Sequence, residues 1–191
     1  MTAWRMLVTQ AGLRAGENLL ILGVGGGVSS AAVQIGRLCG ARVWVTSSSD
    51  DKLERAKALG ADERINYARE DWAKVVYEKT GKRGVDVVLE NVGAATWKGS
   101  IRVLAKGGRL VTCGATSGPI GETDIRVVFW KQLKIIGSTM ANRREFNQVM
   151  TQLFRGALKP VVDRVFPLKD GGEAQRILAE GKQFGKLVLV P

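Results

Sequence analysis

Four glycines in five positions, Gly23-Val24-Gly25-Gly26-Gly27, are the stretch of this sequence best suited to chemistry. Glycine leaves the main chain bare, so a bulky or charged ligand can come directly against backbone N–H groups. Before the run stands a short apolar segment, Leu19-Leu20-Ile21-Leu22, that suits a strand buried on both faces. After it Val28, Ala31, Ala32 and Ile35 recur at helical spacing as far as Gly40. Strand, glycine turn and helix start form the first half of a unit that binds a dinucleotide pyrophosphate, because free N–H groups and the helix dipole both favour negative charge there. The string departs from G-x-G-x-x-G: read from Gly23 it ends on Val28, and read one residue longer it ends on Ser29. Alone, it is also what a plain glycine-rich turn between strand and helix would look like.

Other chemistry is excluded by what the chain lacks. It has no histidine, which removes every His-based triad or proton relay, and no catalytic residue is assigned. Cys39 and Cys113 have no partner at metal-ligand spacing, so no zinc is expected in this chain and both read as buried thiols. A net charge of +11 raises the question of nucleic acid. The Lys and Arg residues are dispersed in runs no longer than two, with no recognisable nucleic-acid module, so a phosphate-rich cofactor and a basic surface explain the charge more simply. No apolar run could span a bilayer, and MTAWRMLVTQ lacks a signal-peptide core, which predicts a cytoplasmic protein without a membrane.

The elements that must position the glycine turn follow from hydrophobic period. Residues 1–16 read as a helix leading into the first strand. Strands are predicted at 42–46, 62–67, 85–89, 109–113 and 133–137. Helices fall between them, marked by Leu53, Ala56 and Leu59, by Trp72, Val75 and Val76, and by Trp97, Ile101 and Leu104. Phe146, Val149, Met150, Leu153 and Phe154 give the clearest amphipathic helix. A strand-like 161–166, a helix near 174–178 and apolar 187–190 close the chain. This alternation predicts one α/β domain over 1–191, a Rossmann-type doubly wound fold with six parallel strands and helices on both faces. Ligands of such a sheet sit beyond the carboxyl ends of its strands. The candidates are therefore residues 23–28, 47–49, 67, 91–93, 114–116 and 138–140.

Taken in order, GVGGGVSSAAVQIGRLCGARVWVTSSSDDKLERAKALGADERINY, DVVLENVG, GGRLVTCGATSG, LKIIGSTM and FGKLVLVP resemble the cofactor domain of medium-chain dehydrogenases/reductases. The nearest branches are the zinc-type alcohol dehydrogenases and the quinone oxidoreductases. Ser29 stands where the family usually has glycine. The resemblance implies a dinucleotide cofactor gripped at Gly25, Gly26, Gly27 and Val28. The acidic residue that takes both ribose hydroxyls in NAD-preferring members falls here at Ser47. Lys52 and Tyr67 match positions that contact a 2′-phosphate, with Arg55 one turn further on, so NADP(H) is preferred and NAD(H) remains possible. Thr2 would lie against the nicotinamide. Asn91, Val92, Gly114 and Ala115 would line its ribose and ring, Ser138 and Thr139 would meet the carboxamide, and Lys186 could reach a phosphate.

The resemblance also implies a homodimer through an edge strand within 123–136, and it matches residues 1–16 to a hinge helix. The catalytic GroES-like domain of the family, with any zinc ligands and proton relay, is not represented in the sequence. The expectation is the nucleotide-binding domain of an NADP(H)-dependent oxidoreductase, acting on an alcohol, carbonyl or quinone. Such a chain alone would bind cofactor without turnover, and the face that meets the missing half would be apolar and exposed. Two other readings stay open: a free-standing NAD(P)-binding or sensor module, and a basic nucleic-acid-associated protein that keeps the fold.

Overall fold

Apolar runs bounded by glycine become strands here because both of their faces find helices to pack against. The computed structural model describes residues 1–191. After a first helix α1 (Thr2–Trp4), continued by a π-helical turn over Arg5–Gln10, the elements alternate. They are β1 (Asn18–Ile21), α2 (Gly27–Leu38), β2 (Arg42–Ser47), α3 (Asp50–Ala58), β3 (Glu63–Asn66), α4 (Trp72–Lys79), β4 (Val85–Glu90), α5 (Ala94–Val103), β5 (Leu104–Thr112), α6 (Ile125–Trp130) and β6 (Lys134–Gly137). Then come α7 (Arg143–Phe154), β7 (Val162–Pro167), α8 (Gly171–Ala179) and β8 (Lys186–Val190).

The six-stranded parallel sheet has the order β3-β2-β1-β4-β5-β6, so strand order reverses between β1 and β4. Side chains alternate across it. Leu19, Ile21, Val43, Val45, Val87 and Leu89 join one buried cluster with α1 and α2, while Leu20, Leu22, Trp44, Val88 and Leu110 join the other with α4 and α5. Helices thus cover both faces, as the alternation predicts. No helix is long and apolar enough to cross a membrane.

Gly36 lets α2 lie against the sheet. A Cβ there would come within 2.8 Å of Leu19 Cδ2 and 2.9 Å of Val43 Cγ2. Ser29, the residue in place of the family's glycine, is fully buried and does something else: its Oγ lies 3.4 Å from the Leu22 carbonyl and 3.3 Å from Asn91 Nδ2. It joins the end of β1 to the end of β4.

The last strands do not extend the main sheet. β7 and β8 pair with each other, in parallel, in a separate two-stranded sheet. This unit is fastened back onto the start of the chain. Arg55 pairs with Asp163 at 2.8 Å and stacks on Phe184 at 4.5 Å, and Gly185 N–H donates to the Gly25 carbonyl at 2.8 Å. Burial alone would raise the Asp163 carboxyl, but bonds from Arg55, Arg164 and the Phe184 N–H outweigh it and hold the group below the ordinary carboxylate range.

Three elements differ from their sequence expectation. The helix placed over 1–16 ends at Gln10, where Gly12 turns the chain with φ +56. β5 begins at Leu104, which had read as a helix residue, because no turn residue separates α5 from it. Within 123–136 a helix, α6, precedes the edge strand.

Two outcomes follow from this packing. Alanine in place of a helix-interior glycine is normally favourable, but Gly36→Ala pushes into closely packed methyl groups and should lower stability by about 1–2 kcal/mol in urea unfolding. Because the Asp163 value is depressed, its stabilisation is complete above the unfolded-state value, near about 4, and is lost as pH falls through the folded-state value. Asp163→Asn should therefore cost about 1–2 kcal/mol at neutral pH and lessen the acid-induced decline in the urea midpoint.

Candidate functional site

The glycine turn bends where Gly23 takes φ +62, a left-handed conformation that other residues adopt at a cost. Gly23 and Val24 N–H groups are tied to β2, to Thr46 Oγ1 at 3.1 Å and to the Thr46 carbonyl at 2.8 Å. Gly26 then occupies the N-cap of α2, and no side chain caps the helix. By contrast Ser49, Asp71, Asp124 and Asn142 each cap their helices with a side-chain oxygen. The N–H groups that open α2 are left for an outside acceptor.

Two clefts lie at the carboxyl ends of the strands, the first of them against this helix end. The first, about 540 Å³, is lined by Gly23 to Gly26, Ser47, Ser48, Lys52, Tyr67, Asn91 and Val92, with Thr116, Ser117, Glu180, Gly181 and Gln183 opposite. Lys52 reaches over Gly25, where a Cβ would lie 3.1 Å from its Cδ, and its Nζ donates to the Gly181 carbonyl. Burial pushes the Lys52 ammonium down; Asp163 opposes this shift, Arg55 adds to it, and Asp51 opposes it again. Lys186 covers Gly27 in the same way, with its Cε 2.5 Å from where a Cβ would stand. Around Gly26 no atom lies within 4 Å of such a Cβ, so the main chain there is open. Val28, next in α2, is half-buried beside it.

The second cleft, about 580 Å³, is lined by Arg5, Gln10, Thr112, Cys113, Gly114, Ala115, Gly137, Ser138 and Thr139. Arg5 is fixed by Glu145, at 2.9 Å. Burial, then the Glu90 charge, pushes the Cys113 thiol up, so it is a neutral wall rather than a nucleophile.

Between the clefts runs the turn after β4, and a buried carboxylate holds it. Glu90 accepts from the N–H groups of Val92 and Gly93 at 2.8 and 3.1 Å. It also accepts from Thr96 Oγ1 at 2.9 Å and Ser100 Oγ at 2.6 Å. These bonds set the amino end of α5 and the placement of Asn91 and Val92.

Most of the sequence-derived residues are brought together in this way. Gly25, Gly26, Ser47, Lys52, Tyr67, Asn91 and Val92 share the first cleft, Gly27 and Val28 follow Gly26 in the chain, and Lys186 covers Gly27. Gly114, Ala115, Ser138 and Thr139 share the second cleft. Thr2, at the start of α1, lines neither. Arg55 is spent on Asp163 and Phe184 and also lines neither. Sequence reasoning missed Glu90, Glu180, Gly181 and Gln183, and on the other side Arg5 and Gln10.

The residues present fit a dinucleotide. Three buried polar atoms in the clefts have no partner within the chain: Asn91 Oδ1 and Gln183 Oε1 in the first and Ser138 Oγ in the second. Buried polar groups are rarely left so, and an elongated ligand rich in hydroxyl, amide and phosphate groups would satisfy them. A further cavity of about 460 Å³ between α4 and α5 holds none of these atoms. A metal does not fit. There is no histidine, and no three His, Cys, Asp or Glu side chains gather where an ion could sit.

Known proteins share this arrangement. The family model described as zinc-binding dehydrogenase matches residues 27–155. A crotonyl-CoA reductase of Streptomyces avermitilis is 34% identical over 213 residues, covering 100% of this chain and 48% of that protein. A quinone oxidoreductase of Homo sapiens is 30% identical over 196 residues, covering 99% of this chain and 59% of its own length. Among solved structures, an NAD-dependent alcohol dehydrogenase superposes with a TM-score of 0.94 at 46% identity, covering all of this chain and 55% of that one. The 2-octenoyl-CoA carboxylase reductase CinF, in complex with NADP and 2-octenoyl-CoA, gives 0.92 at 34% identity, covering 99% and 47%. The chain spans about half the length of the curated relatives it matches. With its sheet order, its glycine turn and this match over most of its length, the chain belongs to the zinc-binding dehydrogenase family, within the medium-chain dehydrogenases/reductases.

Proposed function

We propose that this chain is the cofactor-binding half of an NADP(H)-dependent oxidoreductase, acting with a catalytic half on an alcohol, carbonyl or quinone. The observation that carries the reading is the uncapped amino end of α2, opening onto a cleft in which Ser47 stands where a carboxylate would disfavour a 2′-phosphate and Lys52 supplies a cation. The pyrophosphate would lie on the main chain of Gly25, Gly26, Gly27 and Val28, with Lys186 beside it. Ser47, Lys52 and Tyr67 would hold the adenosine 2′-phosphate; Lys52 would then exchange its bond to the Gly181 carbonyl for a charged partner. Asn91 and Val92, placed by Glu90, and Gly114, Ala115, Ser138 and Thr139 would hold the nicotinamide ribose and ring, with Thr2 approaching from α1. When bound, the nicotinamide supplies hydride transfer. This chain's own residues bind it, orient it and exclude water, and no group here delivers a proton to substrate.

NAD(H) is the second reading, favoured by the similarity to a structure described as an NAD-dependent alcohol dehydrogenase. Both cysteines are unpaired, which suits the reducing cytoplasm.

The surface suits two partners. One is a second copy of the chain. Edge strand β3 is blunted by charge, with Glu63 paired to Arg42 and Lys79. Edge strand β6 carries one exposed charge, Lys134, but Ile135 beside it, and Ile125, Phe129 and Trp130 on α6, are exposed apolar residues. An edge so apolar suits pairing across a twofold axis. The other partner is the catalytic half. A lone two-stranded parallel sheet is an unusual end point, and Val162, Val165, Leu168, Leu189 and Val190 on or beside it are exposed.

Fluorescence titration should show NADPH binding more tightly than NADH. Lys52→Ala should weaken NADPH by about 1–2 kcal/mol, roughly ten-fold, and leave NADH nearly unchanged; equal affinities unmoved by the substitution would rule out the 2′-phosphate assignment. In sedimentation the chain should run as a dimer and Ile135→Lys as a monomer, whereas a wild-type monomer would remove the edge-pairing proposal.

A further inference from the structure

One carboxylate faces the adenosine cleft, and it does not come from the end of β2. Among the side chains lining that cleft Glu180 alone is acidic and Lys52 alone is cationic. Glu180 is the C-cap of α8. Its carboxylate is held by Lys182 Nζ at 2.6 Å, and Arg176, one turn back on α8, adds positive charge nearby. Between the two partners Gly181 gives its carbonyl to Lys52. Glu180 and Gly181 thus present to the cleft an anion and an acceptor that steers the cleft's cation, while Lys182, outside the lining, covers the anion.

This segment is fixed rather than loose. Gly185 N–H bonds the Gly25 carbonyl, Lys186 N–H bonds the Val161 carbonyl at 2.9 Å, and Phe184 is buried beneath Arg55. An exposed ion pair such as Glu180 with Lys182 contributes almost nothing to stability. Its effect must be sought in the potential of the cleft it borders. In NAD-preferring sites a carboxylate at the end of the second strand takes the ribose hydroxyls and thereby disfavours a 2′-phosphate. Glu180 could exert the same repulsion from the opposite wall unless its charge is met.

We propose that Lys182 is a specificity-determining residue: by holding the Glu180 carboxylate, it keeps the single acidic side chain of the adenosine cleft from opposing the 2′-phosphate of NADP(H). The inference rests on the NADP(H) reading above. It adds that cofactor choice is set from the α8–β8 connection as well as from Ser47 and Lys52.

The test is titration of the whole chain with NADPH and NADH at low and high salt, for wild type, Lys182→Gln, Glu180→Gln and the double variant. Both side chains are exposed, so all four proteins should fold. Lys182→Gln should weaken NADPH about fivefold at low salt and leave NADH within about twofold, the scale of one unmet charge across a solvated cleft. Glu180→Gln should restore NADPH affinity in the Lys182→Gln background, and high salt should shrink the difference. An unchanged NADPH-to-NADH ratio in Lys182→Gln would overturn the inference. So would a double variant as weak as Lys182→Gln, since Lys182 would then be meeting the phosphate directly. A wild type with no preference for NADPH would instead remove the reading on which the inference stands.

Discussion

Main-chain donors at the start of α2 have no acceptor within the chain, and the surrounding structure is arranged so that none is supplied. A helix end normally takes a side-chain oxygen from its N-cap residue, as four other helices here do. Gly26 has none to give. The same absence of side chains that leaves the donors bare also leaves room beside them, because the space over Gly26 is empty. Beneath it, α2 lies close on Leu19 and Val43 by way of Gly36.

One cleft lies against that helix end, at the point where strand order reverses, and a second lies at the ends of β5 and β6. The ends of β1, β2 and β4 line the first cleft, with Thr116 and Ser117 from beyond β5, whereas the ends of β5 and β6 line the other. Glu90 stands at the boundary with every acceptor site engaged. A carboxylate buried in this way is stable only because it meets two backbone N–H groups and two hydroxyls at once. It converts the end of β4 into a rigid partition, and Ser29 braces that partition against β1 through Asn91.

Much of this was legible in the residues. The strands were, because a parallel sheet covered on both faces needs unbroken apolar runs, and glycine or a capping residue marks where each run ends. Ser47 was marked by its place at a strand end and Lys52 by the resemblance alone, and both line the first cleft. Glu90 was not, since its role depends on Thr96 and Ser100 on the helix that follows, and nothing at position 90 marks it off from a surface glutamate. α6 was hidden because Ile125 to Trp130 is mostly apolar and lacks a clear polar face; Asp124, accepting the Arg126 N–H at 3.0 Å, starts the helix. Ser29 shows in the sequence only as a departure from the family's usual glycine; its hydroxyl, between the Leu22 carbonyl and Asn91, shows only in the fold. Glu180, Gly181 and Gln183 join the cleft from far along the chain, through contacts that no local pattern reveals.

That last wall has a consequence for how the protein comes into being. The glycine turn and the residues that face it across the first cleft are separated by most of the sequence, and the bond from Gly185 to Gly25 joins them. On a ribosome the turn emerges before its opposite wall has been synthesised. A nascent chain with its central sheet already folded would therefore offer only half a cleft, and tight capture of the dinucleotide must wait until the α8–β8 connection has left the exit tunnel and docked.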